Sequence, residues 1–468
     1  MNRPPVFLTR GALGRLSQWS RRLAANVFPG RDAAKADAEA DWLLDELELL
    51  LEESRAQRGG EISARNRAQR IAAIYRAADA ARRTAILNTI RTEFTPDREA
   101  LDGALAAMRS ASGDAERGHA EAQLRIALDA PRAKFFAQFN LLPDGVKFLV
   151  DLRADLLEFL GREPSLEVLR VELDGLLESW FDPGFLELRR ITWQSPAVLL
   201  EKLIAYEAVH AIESWDDLRN RLDLDRRCYA FFHPRMPNEP LIFVEIALMK
   251  GLPPGVQVLL DQRAPVQDIR TADTAVFYSI SNAQKGLRGI SLGNLLLKRV
   301  IEDLRDDLPW LRTFATLSPL PGFRKWLDKS LAAGLALPEK VAAKLAEALG
   351  QAHPGTVLVD ALARPEWTQE AKTAEALREP LEQLCARYLL QEKAGGHPLD
   401  PVAYFHLNNG ARVNRLFWLA DVSLRGLMQS YGMMVSYRYD LSEVEQNHEE
   451  FLRSGRIAAA RRVKRLID

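Results

Sequence analysis

Apolar residues recur at helical spacing through the first part of the chain. Between Ala38 and Ser54, Trp42, Leu43, Leu47, Leu50 and Leu51 stand among acids. The same period runs from Ile71 to Phe94 and from Asp114 to Phe139, and it resumes from Val146 to Leu160 after the breakers Pro143, Asp144 and Gly145. β-branched runs are scarce here. The pattern predicts a helical region over residues 36–185, whose acids and arginines form solvated faces and i,i+4 pairs.

The texture changes after Trp180, Phe181, Asp182, Pro183 and Gly184. Arg227 to His233, Leu241 to Met249, Thr274 to Ser281, Arg312 to Leu317 and Met433 to Tyr439 read as strands. Leu292 to Leu304 and Ala361 to Lys393 read as helices. Strands and helices alternating over residues 186–468 predict a sheet layered with helices, so the fold class is α followed by α/β or α+β. No internal repeat stands out.

Composition adds exclusions. The 468 residues are 47% hydrophobic and 27% charged, which fits a globular chain with a normal core. A net charge of -1 gives no global field toward nucleic acid or an anionic membrane. The two cysteines, Cys228 and Cys385, make no disulfide framework, and the histidines show no HxH or HExxH spacing, so no metal is expected. No apolar run is long enough to span a bilayer, since Leu241 to Met249 is interrupted by Glu245. Residues 1–35 are Arg-rich, with no acid before Asp32. They read as a disordered leader in a cytoplasmic protein, with a mitochondrial transit peptide as the alternative. The chain's last residues lack a peroxisomal tripeptide.

Four segments carry candidate chemistry. The turn from Asn282 to Asn294 places three glycines and two cations before a helix, a layout that suits a pyrophosphate, though the glycine spacing is not a dinucleotide fingerprint. Its candidate binding residues are Arg288, Gly289, Ile290, Ser291, Leu292, Gly293 and Asn294. In FATLSPLPGF (314–323), Pro319 holds Ser318 extended at a strand end. His406 lies between an aromatic pair and the Asn408-Asn409-Gly410 turn, and its imidazole suits proton transfer. The proline-rich loop from His233 to Pro240 is a stiff connection. Taken singly, a turn serine and a lone histidine are more often structural than catalytic.

Together these segments resemble the malonyl-CoA decarboxylase family. The resemblance rests on ITWQSPAVLLEKLIAYEAVH (191–210), FFHPRMPNEPLIFVEIAL (231–248), FYSISNAQKGLRGISLGNLLLKRV (277–300), FATLSPLPGF (314–323) and DPVAYFHLNNGARVNRLFWLADVSLRGLMQSYGMMVSYRY (400–439), in that order. It implies a helical N-terminal oligomerisation domain and an acetyltransferase-like (GNAT-like) catalytic domain. It implies conversion of malonyl-CoA to acetyl-CoA and carbon dioxide with no cofactor, in a homotetramer. It assigns catalysis to Ser318 and His406, CoA binding to Arg288 through Asn294, and a site position to Tyr439. Where some members carry a glutamate in the CoA turn, this chain has Ser291. Two other readings stay open: an acyltransferase on the same fold, and a non-catalytic acyl-CoA-binding scaffold.

Overall fold

The computed structural model describes residues 45–56, 59–128, 131–290, 296–351, 353 and 355–467. The proposed leader, Leu292 through Asn294 and Ser291 lie outside them. The chain forms two compact units. One comprises the chain through Asp182 together with Gln284–Ile290, and the other comprises Pro183–Ala283 with Ser291–Asp468.

The first unit is helical. Residues 45–55 form a helix. The long helical pattern from Ile71 to Phe94 is two helices, Glu61–Ala77 and Ala80–Glu93, because the Asp79 carboxylate accepts from the Arg82 amide and starts a new helix. Likewise Asp114 to Phe139 divides into Asp114–Leu128 and Pro131–Ala137, with proline opening the second. Rings from four segments fill the core. Phe94 meets Phe135 at 4.5 Å between centroids, and Phe139 meets Phe148 at 4.8 Å. Leu169, Leu173 and Leu177 bury one stripe of Glu167–Trp180 at i,i+4 spacing. Helix α1 (Gly145–Phe159) receives the short turn Lys285–Leu287. The buried Arg153 guanidinium donates to the carbonyls of Gly286 at 2.6 Å and Arg288 at 2.9 Å, and pairs with Asp174. A Cβ on Gly286 would overlap the Val150 carbonyl, so only glycine permits this approach.

The second unit is built on one mixed sheet. Its strands are β1 (Glu187–Ile191), β2 (Arg226–Phe232), β3 (Ile242–Met249), β4 (Thr274–Asn282), β5 (Thr313–Thr316) and β6 (Ser318–Pro319). A small hairpin, β7 (Lys393–Ala394) and β8 (His397–Pro398), stands apart, and β9 (Arg412–Phe417) and β10 (Met434–Tyr439) complete the sheet. The order is β1-β2-β3-β4-β5-β10-β6, with β9 pairing β10. β4 and β5 pair in parallel and the remaining pairs are antiparallel. Helix α2 (Leu296–Asp307) lies between β4 and β5 in the chain, as a parallel connection requires. β2 is buried along its whole length, with Arg226 and Arg227 at its start paired to Asp225 and Asp307 and an apolar, aromatic run after them.

The expected helical region followed by a mixed-sheet domain is therefore borne out. Two longer strands escaped the pattern, β1 and β9, because arginines interrupt their apolar positions, as did the two-residue strands β6, β7 and β8, which are too short to show a period. The helix expected from Ala361 to Lys393 is shorter. It is α3 (Ala371–Leu390), preceded by the tight turn Pro365–Thr368.

Candidate active site

The site begins with a break in the sheet. The β4–β5 ladder ends at Phe277 opposite Thr316, with the Leu317 amide donating to the Phe277 carbonyl. β4 continues to Asn282, while the chain after Leu317 pairs with β10 instead. The parted strands leave a cavity of about 230 Å³ lined by Val209, Phe277, Tyr278, Ile280, Asn282, Ser318, Pro319, Pro401, Val402, Phe405 and His406. No aspartate, glutamate, lysine or arginine is in this lining.

Strand alternation supplies one half of the site. Residues two apart share a face, so Thr316 and Ser318 stand together, as do Tyr437 and Tyr439. The Ser318 hydroxyl donates to Thr316 Oγ1 at 2.8 Å, and Oγ1 also accepts the Tyr437 amide at 3.0 Å. Helix α4 (Pro401–Asn408) supplies the other half, His406, from its last turn. Asp400 caps that helix, accepting from the amides of Val402 and Ala403 at 3.0 and 2.9 Å, and from the Tyr388 hydroxyl at 3.1 Å. After α4, Gly410 turns the chain with a φ of 75°, where a Cβ would overlap the Val444 carbonyl.

His406 Nε2 lies 3.1 Å from Ser318 Oγ, and Nδ1 lies 2.7 Å from the Tyr439 hydroxyl. The imidazole stacks on the Tyr437 ring, with centroids 4.5 Å apart and planes at 23°. Ser318, His406 and Tyr439 are all buried. Burial lowers the His406 pKa to about 3, so the ring is neutral at pH 7. Burial likewise raises Tyr439 well above the ordinary phenol value, so it stays a hydroxyl. The centre thus carries no net charge when empty, and a hydroxyl on each side of the ring can either donate or accept.

The structure brings Ser318, His406 and Tyr439 together in the second unit. Arg288, Gly289 and Ile290 belong to the helical unit, where Arg288 and Gly289 are exposed and Gly289 has a φ of 89°. Ser291, Leu292, Gly293 and Asn294 are outside the described residues. Sequence reasoning missed Thr316, Tyr437 and Asp400. The first two were within reach, since Tyr437 sits two positions from Tyr439 on β10 and Thr316 sits two positions before Ser318, at the end of β5. Among the described residues no group of His, Cys, Asp and Glu could hold a metal ion.

Comparison with known proteins places the family and the fold. Residues 184–468 match the family model described as the malonyl-CoA decarboxylase C-terminal domain, and residues 94–181 match that of the N-terminal domain. The crystal structure of malonyl-CoA decarboxylase from Rhodopseudomonas palustris is 42% identical, covers 90% of this chain and 99% of its own, and superposes with a TM-score of 0.81. The enzyme from Agrobacterium vitis is 40% identical over 90% of this chain and 100% of its own, with a TM-score of 0.82. The mitochondrial malonyl-CoA decarboxylase of Rattus norvegicus is 38% identical over 83% of this chain and 82% of its own. Fold and relatives define the class first: this is an enzyme, a carboxy-lyase. The chain belongs to the malonyl-CoA decarboxylase family.

Proposed function

We propose that the protein converts malonyl-CoA to acetyl-CoA and carbon dioxide through an acetyl-CoA enolate that the Ser318/His406 pair protonates. The observation that carries this reading is the 3.1 Å contact of Ser318 Oγ with His406 Nε2 at the wall of an otherwise uncharged cavity. A malonyl carboxylate in such a cavity loses its hydration, which favours departure as neutral carbon dioxide. The reaction consumes one proton. His406 is neutral in the empty site, and an incoming carboxylate favours its protonated form, so substrate and proton enter together. The C–C bond then breaks and its electrons pass into the thioester enolate. Ser318 delivers its hydroxyl proton to the carbanionic carbon, and Nε2–H refills the serine. Tyr439 accepts from Nδ1–H while the ring is charged and after Nε2–H has gone to the serine, and it donates to Nδ1 when the ring rests with its proton on Nε2, a reversal that a carboxylate partner could not make. Hydrogen bonds aimed at the developing oxyanion supply the remaining stabilisation. No metal or organic cofactor is invoked.

Arg288 through Asn294 are the proposed CoA contacts, in a turn from Asn282 to Asn294 whose three glycines and two cations suit the pyrophosphate. The helical unit is proposed to assemble the chain into a homo-oligomer. In the helices Arg98–Ser110 and Asp114–Leu128 only Ala104 and Ala120 are buried, while Ile126 and Leu128 are exposed. A cytoplasmic location is proposed, although the rat relative is named mitochondrial.

The deciding assay supplies malonyl-CoA alone. Release of carbon dioxide with stoichiometric acetyl-CoA supports the lyase. Turnover only when an amine acceptor is added would replace it with an acyltransferase, and CoA binding without turnover would leave a scaffold.

A further inference from the structure

We infer that Thr316 is a positioning residue that sets the tautomer of His406, by drawing the Ser318 proton away from the imidazole. The inference rests on the decarboxylase reading for its kinetic consequence but not for its structural one.

The argument starts from the strand. β10 pairs β5 at Arg438 opposite Ala315 and β6 at Val435 opposite Ser318. Between these pairs the ladder is interrupted. On its other side β10 also shifts register between Ser436 and Tyr437 against β9. The Tyr437 amide sits in this double irregularity, and a buried amide must find an acceptor. It finds the Thr316 side chain, at 3.0 Å. Thr316 is fully buried, so water does not compete for its hydroxyl oxygen. The amide holds one lone pair of Oγ1 in a fixed direction, and the Ser318 hydroxyl donates to the same atom at 2.8 Å.

This fixes the proton order along the chain of contacts. Ser318 has one proton, and it points at Thr316. Its oxygen therefore faces Nε2 as an acceptor, so Nε2 carries a hydrogen. A neutral ring has one N–H. Nδ1 is then bare and accepts from the Tyr439 hydroxyl at 2.7 Å. Without Thr316 Oγ1, the Ser318 hydroxyl has His406 Nε2 as its near acceptor, and the neutral ring holds its proton at Nδ1 instead. That order points the serine proton into the ring and leaves Nε2 with nothing to return to it.

The test uses Thr316→Val, which keeps the branched shape but removes the oxygen, and Thr316→Ser, which keeps the oxygen. Nitrogen NMR of the histidine ring, assigned by its loss in His406→Gln, reads the tautomer directly and needs no substrate. Wild type and Thr316→Ser are expected to show Nε2–H, and Thr316→Val to show a shift toward Nδ1–H. In malonyl-CoA turnover, Thr316→Val should lose about tenfold or more in kcat with KM within about twofold, and Thr316→Ser should recover most of it. An unchanged tautomer in Thr316→Val overturns the inference, as does a Thr316→Ser variant no better than valine. If the valine variant does not fold, Tyr439→Phe tests the same order from the other side. Loss of its donor to Nδ1 should leave Nε2–H in place, held by Ser318 and Thr316, and a switch to Nδ1–H would overturn the inference. Wild type that leaves malonyl-CoA intact would refute the decarboxylase reading and leave the tautomer result standing.

Discussion

Ser318 and His406 are 88 residues apart in the chain and 3.1 Å apart in space. Each is unremarkable in its own segment, and the proposed chemistry exists only in the pair. Ser318→Ala and His406→Ala are expected to lower kcat by about 10²–10⁴-fold with smaller effects on KM, as loss of proton-transfer help requires. Steady-state kinetics on malonyl-CoA checks this, and near-normal kcat in either variant would remove that residue from the reaction. Burial of the neutral ring also has a signature in stability. The folded pKa of about 3 lies below the unfolded value of 6.5. The stability it contributes is therefore present above pH 6.5 and lost as pH falls toward 3. Relative to His406→Gln, which does not titrate, wild type should lose about 3 kcal/mol between pH 7 and pH 4.5. Urea unfolding at several pH values measures the difference, and a constant gap would mean that the folded protein leaves the ring's pKa at its unfolded value.

Asp400 joins three segments around the site. It caps α4, which carries His406, it accepts from Tyr388 on α3, and it holds the amide of Gly322 in the turn that follows Ser318. Asp400→Ala would leave those donors buried without an acceptor, and is expected to destabilise by about 2–4 kcal/mol and to reduce kcat. Asp400→Asn keeps a carbonyl acceptor and should cost less. Chemical denaturation and turnover together check this, and equal effects of the two variants would show that the acceptor does not matter. The carboxyl is pushed up to about 6 by burial. Its folded pKa is raised, so the stability it brings is fully present below the unfolded value of 3.8 and lost as pH rises through about 6. It opposes His406 across the acid range. Elements of this kind were unevenly legible beforehand. β2, β3, β4, β5 and β10 were legible as strands, β4 from apolar alternation, β2 from its aromatic residues and β3 from its β-branched and apolar content. The split at Asp79 and the late start of α3 did not, because a periodic apolar stripe runs on through a local cap or tight turn that a few polar residues decide.

At the scale of the molecule, the exposed face of the helical unit carries the proposal of self-association. Ile126→Glu with Leu128→Glu should lower the measured mass in light scattering without lowering the melting temperature, since both side chains are exposed. An unchanged mass would place the contact elsewhere. The sequence by itself determined the two-part architecture and the family, and it named Ser318, His406 and Tyr439 as candidates, because side-chain periodicity and short motifs are written locally along the chain. Tertiary structure decided the rest. The parting of β4 and β5 makes the cavity, and no local pattern records where two strands separate. The neutral state of His406 comes from burial by residues distant in sequence, among them the stacked Tyr437. The direction of the Ser318 proton comes from Thr316 and the amide of Tyr437, 121 residues further along. A proton's position depends on which acceptor lies nearest in space, and only the folded chain brings those acceptors together.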